Sequence, residues 1–130
     1  NFDYRSSSLQ GSIVIGASLL LKADSKDAIM NRIQKCLSYR AKTQPLSSLN
    51  VGSIFRNPPR DFAGRLVEAA GLKGFICGGA KISERHANFI VNEDHATACD
   101  VKRLIARVQE AVEKRFQVRL ELEIKTVGED

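Results

Sequence analysis

The spacing of apolar residues along the chain predicts three helices, of which the first is the most regular. Apolar positions recur at helical intervals of three and four residues from Ile29 to Leu37. Asp24 or Ser25 can cap this helix at its N-terminus, and the periodic pattern holds to about Arg40.

Two further helices are predicted in the second half of the chain. One begins near residues 59–61 and ends at Gly71, a residue suited to a C-terminal cap. The other follows Thr97, which forms a capping-box pattern with Asp100, and continues to Phe116. Both present apolar residues on one face, so both are expected to pack against a sheet.

Four strands are predicted. One is a short strand or turn region that holds Phe75 and Ile76 between Gly74 and Gly78. The apolar run 13–21 is typical of a buried strand, and 88–92 is typical of a short one. Residues 118–124 alternate apolar and polar side chains, which predicts a half-buried strand. Residues 1–12 read as irregular and 43–59 as a long loop. The predicted fold class is therefore α+β, a small sheet packed by helices in the order β-α-α-β-β-α-β.

Composition restricts the class of protein further. The 130 residues, 43% of them apolar, suit one compact domain and exclude a disordered tail. The longest apolar run has only nine residues and contains Gly16, so no membrane span or signal peptide is expected. Cys36, Cys77 and Cys99 are odd in number and far apart, which argues against a disulfide framework and a metal site. These features favour a cytoplasmic protein.

The net charge of +5 raises the possibility of a nucleic-acid partner, but its pattern does not favour one. Basic and acidic residues alternate through 97–117, as on the solvated face of a helix. Aromatic residues make up only 6% of the chain and offer no stacking platform for bases. A modest positive surface suits a nucleotide diphosphate equally well.

Local spacing alone leaves the candidate chemistry open. Arg5 can clamp a carboxylate, Ser53 lies on a loop between Gly52 and a Pro-Pro pair, and Glu123 lies on the last predicted strand. His86 and His95 can each shuttle a proton. For each of these residues an ordinary structural role is the more common one, so the residues by themselves indicate a ligand-holding domain without naming its ligand.

The motifs around Ser53 change this balance. N-V-G-S-I-F-R-N-P-P at 50–59 and A-G-R-L-V-E-A-A-G-L-K-G at 63–74 resemble UDP-N-acetylenolpyruvoylglucosamine reductase, the flavoenzyme of peptidoglycan synthesis also called UDP-N-acetylmuramate dehydrogenase. Further matching segments extend the resemblance over nearly the whole chain: D-Y-R-S-S at 3–7, R-A-K-T-Q-P at 40–45, G-G-A-K-I-S-E-R-H-A-N-F-I-V-N at 78–92, D-V-K-R-L-I at 100–105 and F-Q-V-R-L-E-L-E-I-K-T-V-G-E at 116–129. The H-A-N-F-I-V-N form suggests the branch of the family with the shorter substrate domain.

The resemblance implies a reaction and a set of residues for it. In the family, NADPH reduces a bound FAD, and the flavin reduces UDP-N-acetylglucosamine enolpyruvate to UDP-N-acetylmuramate. Motif matching makes Ser53 the proton donor, with Arg5 and Glu123 the other catalytic residues. A set of substrate contacts follows from the same matching: Tyr4, Gln44, Asn57 and His86.

The resemblance also implies a division of the chain. Residues 1–23 are expected to be the end of the FAD-binding domain, and 24–130 the substrate-binding domain. Most of the flavin domain is absent, so we expect the chain alone to bind neither FAD nor NADPH and to be inactive. The alternatives are a non-catalytic module that binds UDP-sugars or other phosphorylated ligands and, less favoured, a basic nucleic-acid-binding domain.

Overall fold

The computed structural model describes residues 1–128, and backbone contacts divide the chain into two units, 1–32 and 33 onward. Glu129 and Asp130 lie outside the described residues, and with them the ends of the predicted domain 24–130 and of the matching segment 116–129.

The first unit opens with a hairpin where irregular chain was predicted. Strands β1 (Phe2–Asp3) and β2 (Ser6–Ser7) pair antiparallel, with Phe2 opposite Ser7. The Ser8 N–H donates to the carbonyl of Asn1 at 3.0 Å and closes the hairpin. The prediction of irregular structure over 1–12 was wrong because two-residue strands leave no periodic pattern in the sequence.

The prediction of a buried strand at 13–21 was also wrong. These residues have no regular secondary structure, and side chains such as Ile15 and Leu20 are fully exposed. A strand requires a neighbour to accept and donate its backbone hydrogen bonds. No strand of the described chain pairs with this segment.

Helix α1 (Lys26–Thr43) confirms the predicted period but not the predicted burial. Ser25 caps it, since its Oγ accepts the Ala28 N–H at 3.3 Å. The helix runs three residues beyond Arg40 and contains no buried residue. Ile29, the least exposed of its large apolar side chains, is still 39% exposed.

The second unit is built on a four-stranded antiparallel sheet. Its strands are β3 (Asn50–Ser53), β4 (Ile76–Cys77), β5 (Ala80–Ile82) and β6 (Phe89–Asn92), in the spatial order β3-β6-β5-β4. Strand β6 confirms the prediction at 88–92. Strand β3 lies inside the predicted loop 43–59 and corrects it: its Asn and Gly disfavour a strand locally, and pairing with β6 supplies the missing stability.

The two remaining helices, α2 (Ala63–Ala69) and α3 (Ala98–Phe116), confirm the predictions. Helix α3 begins with the predicted capping box between Thr97 and Asp100, and Gly71 follows α2 with φ of 77°. Both helices contribute to one apolar core, and α3 packs on β4 and β5. The side chains that are at most 1% exposed are Ile54, Ala63, Leu66, Val67, Ala80, Ile82, Leu104, Val108, Val112 and Leu120.

The last predicted strand, 118–124, is reduced to a single antiparallel bridge between Leu122 and Phe55. Leu120 is nonetheless 1% exposed, and its carbonyl accepts the Gln109 side chain at 2.8 Å. The segment therefore contacts the core and pairs with the chain after β3 at one position, and the α+β fold class is confirmed.

Candidate active site

Ser53 ends strand β3 at a place where the strand is irregular. The register of β3 against β6 shifts between Asn50 and Ser53, and Gly52 between them has φ of 88°. The Gly52 N–H donates to the Asn50 side chain at 2.9 Å, which stabilises this left-handed residue. Irregularities of this kind bend a strand and redirect the side chain that follows. The backbone at Ser53 is therefore set by local geometry that glycine makes possible.

The two residues after Ser53 are bonded to Asn88. Ile54 donates its N–H to the Asn88 carbonyl at 2.9 Å. Phe55 donates its N–H to the Asn88 side-chain oxygen at 3.0 Å, and its carbonyl accepts the side-chain amide at 2.8 Å. Asn88 is 4% exposed, so these bonds are shielded from water.

Glu123 is bonded to the same segment from another direction. Its N–H donates to the carbonyl of Ile54 at 2.8 Å, and the Arg56 N–H donates to the Glu121 carbonyl at 2.9 Å. Ser53 and Glu123 are 70 residues apart in sequence, yet Ser53 directly precedes the residue that bonds Glu123. The Glu121 side chain is exposed, whereas the Glu123 side chain is partly buried.

Asn57 caps helix α2 from outside the helix. Its side-chain oxygen accepts the N–H of Ala63, the first helical residue, at 3.0 Å. Phe62 occupies the cap position and provides no side-chain hydrogen bond. Asn57 therefore joins the Ser53 segment to α2. The role of Asn57 as a substrate contact remains a prediction.

His86 is partly buried between α2 and the sheet. Its ring meets Phe89 edge-on with centroids 4.9 Å apart, and its Nδ1 accepts the Asn88 N–H at 3.2 Å. A Cβ placed on Gly64 would lie 3.1 Å from the imidazole, so the helix passes close to the ring. Burial is the main reason that the pKa of His86 is lowered from 6.5, and the neutral imidazole is favoured.

Gln44 lies just after α1 and is connected to the region of His86 through Arg85. The guanidinium of Arg85 donates to the carbonyls of Ala41 at 3.0 Å and Gln44 at 3.3 Å. These contacts tie the end of α1 to the loop before β6. Sequence reasoning assigned nothing to Arg85 or to Asn88, because only the fold shows which backbone groups they reach.

Arg5 and Tyr4 occupy the turn of the hairpin in the first unit. Arg5 has φ of 55°, and its guanidinium lies 5.6 Å from the centre of the Tyr4 ring. Both side chains are exposed. Their predicted roles, like those of Ser53 and Glu123, remain predictions.

The glycine-rich stretch 71–79 does not fit a flavin pyrophosphate. A Cβ on Gly78 would lie 2.3 Å from Asp100 Oδ1, and one on Gly79 would lie 1.9 Å from the Asp94 carbonyl oxygen. These glycines therefore make room for negatively polarised oxygens rather than for phosphate. They form the turn between β4 and β5.

Residues 1–128 also bear on two other classes of site. No helix there is long and apolar enough to cross a membrane. Within the same residues, no cluster of three or more His, Cys, Asp or Glu side chains is arranged to hold a metal ion.

A shallow apolar depression of about 370 Å³ lies beside β3. Leu49, Val51 and Ile54 line it together with Ile90 of β6 and Val101 of α3. None of the seven predicted site residues lines it, and all seven lie within residues 1–128. Ile54, which directly follows Ser53, is the lining residue nearest to it in sequence.

These features define a small antiparallel α+β domain with a serine at the end of a bulged strand. A family model for the C-terminal domain of UDP-N-acetylenolpyruvoylglucosamine reductase matches residues 44–127. UDP-N-acetylenolpyruvoylglucosamine reductase 2 of Symbiobacterium thermophilum and the reductase of Moorella thermoacetica are each 50% identical over 98% of this chain. The chain spans 42% and 43% of their lengths.

A solved structure agrees with these sequence relatives. The crystal structure of UDP-N-acetylenolpyruvylglucosamine reductase (MurB) from Thermus caldophilus is similar with a TM-score of 0.69 and 42% identity, over 80% of this chain and 36% of that one. The chain belongs to the UDP-N-acetylenolpyruvoylglucosamine reductase family and carries its C-terminal domain.

Proposed function

We propose that this chain is the substrate-binding and catalytic C-terminal part of a cytoplasmic, FAD-dependent reductase. The reaction is the NADPH-driven conversion of UDP-N-acetylglucosamine enolpyruvate to UDP-N-acetylmuramate in peptidoglycan synthesis. Family membership supports this assignment. The observation that carries it in this chain is the pair of backbone bonds that places Glu123 beside the segment following Ser53.

Reduction of the enolpyruvyl double bond adds a hydride to one carbon and a proton to the other. In this proposal Ser53 supplies the proton. A serine hydroxyl is a weak acid, so proton donation needs electrostatic stabilisation where charge develops. Arg5 stabilises the substrate carboxylate and the enolate-like charge next to it, and Glu123 orients or relays the proton.

The remaining predicted residues bind the substrate in this proposal. Tyr4, Gln44, Asn57 and His86 contact the UDP-linked sugar or its enolpyruvyl group. The lowered pKa of His86 makes the ring neutral near pH 7, so it binds through hydrogen bonds rather than charge. In this proposal FAD and NADPH are bound by the flavin domain of the complete reductase, and the isolated chain is inactive.

The test is a half-reaction experiment in a complete flavin-containing reductase that includes this chain. Ser53→Ala is expected to abolish reduction of the enolpyruvyl group while flavin reduction by NADPH persists. Ser47→Ala, an exposed serine six residues earlier, is the matched control and is expected to behave as wild type. Substantial turnover by Ser53→Ala contradicts the assignment of the proton donor.

A second measurement separates this proposal from a non-catalytic UDP-sugar-binding module. The purified 130-residue chain is expected to show no flavin absorbance, and calorimetry reports whether it binds the UDP-linked substrate. Stoichiometric FAD on this chain contradicts the proposed location of the cofactor. Full sugar-nucleotide affinity combined with an active Ser53→Ala reductase favours the binding module.

A further inference from the structure

Asn88, the turn residue just before β6, forms two hydrogen bonds through its side chain to the backbone of Phe55. It is one of two buried polar residues found in 1–128, the other being Ser83. Its carboxamide accepts the Phe55 N–H at 3.0 Å and donates to the Phe55 carbonyl at 2.8 Å. A carboxamide has one acceptor and one donor side, so it pairs with both polar groups of one residue as a neighbouring strand does.

Through this pairing, the chain stays hydrogen-bonded to Asn88 for two residues beyond the end of β3. Ser53 is the last residue of β3, opposite Phe89. Ile54 then bonds the Asn88 backbone, and Phe55 bonds the Asn88 side chain. The Ile54 and Phe55 side chains are 1% and 2% exposed. The two residues after Ser53 are therefore held both by backbone hydrogen bonds and by the packing of their side chains.

The buried backbone groups of Phe55 need this partner. A buried N–H or carbonyl without a hydrogen bond is strongly unfavourable, so loss of the carboxamide forces the segment to shift or admit water. The Glu123 N–H is bonded to the same segment, since it donates to the Ile54 carbonyl at 2.8 Å. Movement of residues 54–55 therefore displaces both Ser53 and Glu123.

We infer that Asn88 is a positioning residue that holds Ser53 and Glu123 in the geometry required for protonation of the substrate. The inference rests on the proposed function of Ser53, and it adds a residue that itself touches neither substrate nor cofactor. Small displacements of reacting groups reduce rates by up to about a hundredfold. The expected effect of losing the carboxamide is thus at least about tenfold.

Two variants test this role. Asn88→Leu removes both hydrogen bonds with a side chain of similar size, and Asn88→Asp retains the acceptor. Asn92→Leu is the matched control. Asn92 belongs to the same strand, β6, and its side chain accepts the Ala96 N–H at 2.9 Å, so it also loses a bond to backbone.

The first readout is amide hydrogen exchange in the 130-residue chain. In Asn88→Leu, which removes the acceptor of the Phe55 N–H, we expect the Phe55 and Glu123 amides to exchange at least about tenfold faster. Amides of α3 are expected to keep their protection, and Asn92→Leu is expected to leave Phe55 unchanged. Unchanged exchange at Phe55 in a folded Asn88→Leu protein overturns the inference.

The second readout is the rate of each half-reaction in the complete reductase. Asn88→Leu is expected to slow enolpyruvyl reduction at least about tenfold while flavin reduction by NADPH keeps its rate. Asn88→Asp is expected to recover activity as the pH is lowered, because a protonated carboxyl again offers one donor and one acceptor. Equal loss of both half-reactions, or wild-type rates, overturns the inference.

The outcome for Ser53 keeps the two proposals distinguishable. Full turnover by Ser53→Ala refutes the proposed function whatever Asn88 does. An inactive Ser53→Ala together with fully active Asn88 variants refutes the positioning role alone. Asn88→Asp carries the test if Asn88→Leu does not fold.

Discussion

Residues 1–32 and the sheet that carries Ser53 differ in how far apart in sequence their hydrogen-bonded partners lie. In the former, Asn1 bonds Ser8 and Arg32 bonds Asp24, residues seven and eight positions apart. In the sheet, Phe55 bonds Asn88 over 33 positions. Ser53 and Glu123 thus depend on the folded core, whereas Arg5 and Tyr4 depend on the local shape of a hairpin.

The predicted catalytic residues therefore differ in how they are supported. The polar end of β3 is bonded to β6 and is followed by residues that bond the segment 118–124, and both neighbours pack in the same core as α3. Changes in the core are therefore expected to affect Ser53 and the stability of the fold together. Changes among residues 1–32 are expected to leave that stability nearly unchanged, since their side chains are almost all exposed.

The largest expected contrast is between two leucines. Leu104 is fully buried, and Leu104→Ala is expected to lower the free energy of unfolding by about 3 kcal/mol through lost burial and the remaining cavity. Leu20 is fully exposed, and Leu20→Ala is expected to change it by less than about 0.5 kcal/mol. Urea unfolding followed by circular dichroism measures both. Equal losses for the two variants contradict the contrast.

A smaller contrast is expected between two glycines. A Cβ on Gly79 would lie 1.9 Å from the backbone oxygen of Asp94, so Gly79→Ala must displace backbone, at a cost of about 2 kcal/mol. No atom lies within 4 Å of a Cβ built on Gly16, and Gly16→Ala is expected to be nearly neutral. Thermal unfolding compares them, and an unaffected Gly79→Ala protein would show that the β4–β5 turn is not tightly packed.

The helix caps provide a third comparison. Thr97→Ala removes one half of the capping box of α3, whose inner face is in the core, and is expected to cost about 1 kcal/mol. Ser25→Ala removes a bond of 3.3 Å from α1, a helix without buried residues. We expect no measurable shift of the main urea transition from it. A larger shift for Ser25→Ala than for Thr97→Ala reverses the comparison.

The smallest expected effect is a pH dependence that arises from His86. Burial lowers its pKa in the folded state, so the unfolded chain binds a proton more readily. The free energy of unfolding is therefore expected to fall as the pH drops through 6.5 toward the lowered pKa, and to be unaffected by His86 above that window. His86→Gln is expected to flatten the curve between pH 5 and pH 7, about the range in which histidine titrates.

His95 offers the matched control for this measurement. It is exposed and has φ of 46°, a conformation that asparagine tolerates. His95→Asn is expected to retain the dependence caused by His86. A curve that is flattened by His95→Asn and not by His86→Gln contradicts the assignment.

The sequence by itself determined those features that depend on residues within one or two helical turns of each other. The capping box at Thr97, the glycine stop at Gly71 and the apolar face of α3 are all local patterns, and each was predictable. Motif resemblance likewise named Ser53 and Glu123. It did so without saying how residues 70 positions apart approach each other.

Tertiary structure decided what depends on a distant partner. Strand β3 exists because β6 pairs with it, whereas the apolar run 13–21 has no paired strand among the described residues and stays exposed. The role of Asn88 is invisible in sequence because its partner, the backbone of Phe55, has no side-chain signature. The physical reason is the same in each case: a backbone hydrogen bond needs a neighbour in space, and a linear pattern cannot show which segment that neighbour is.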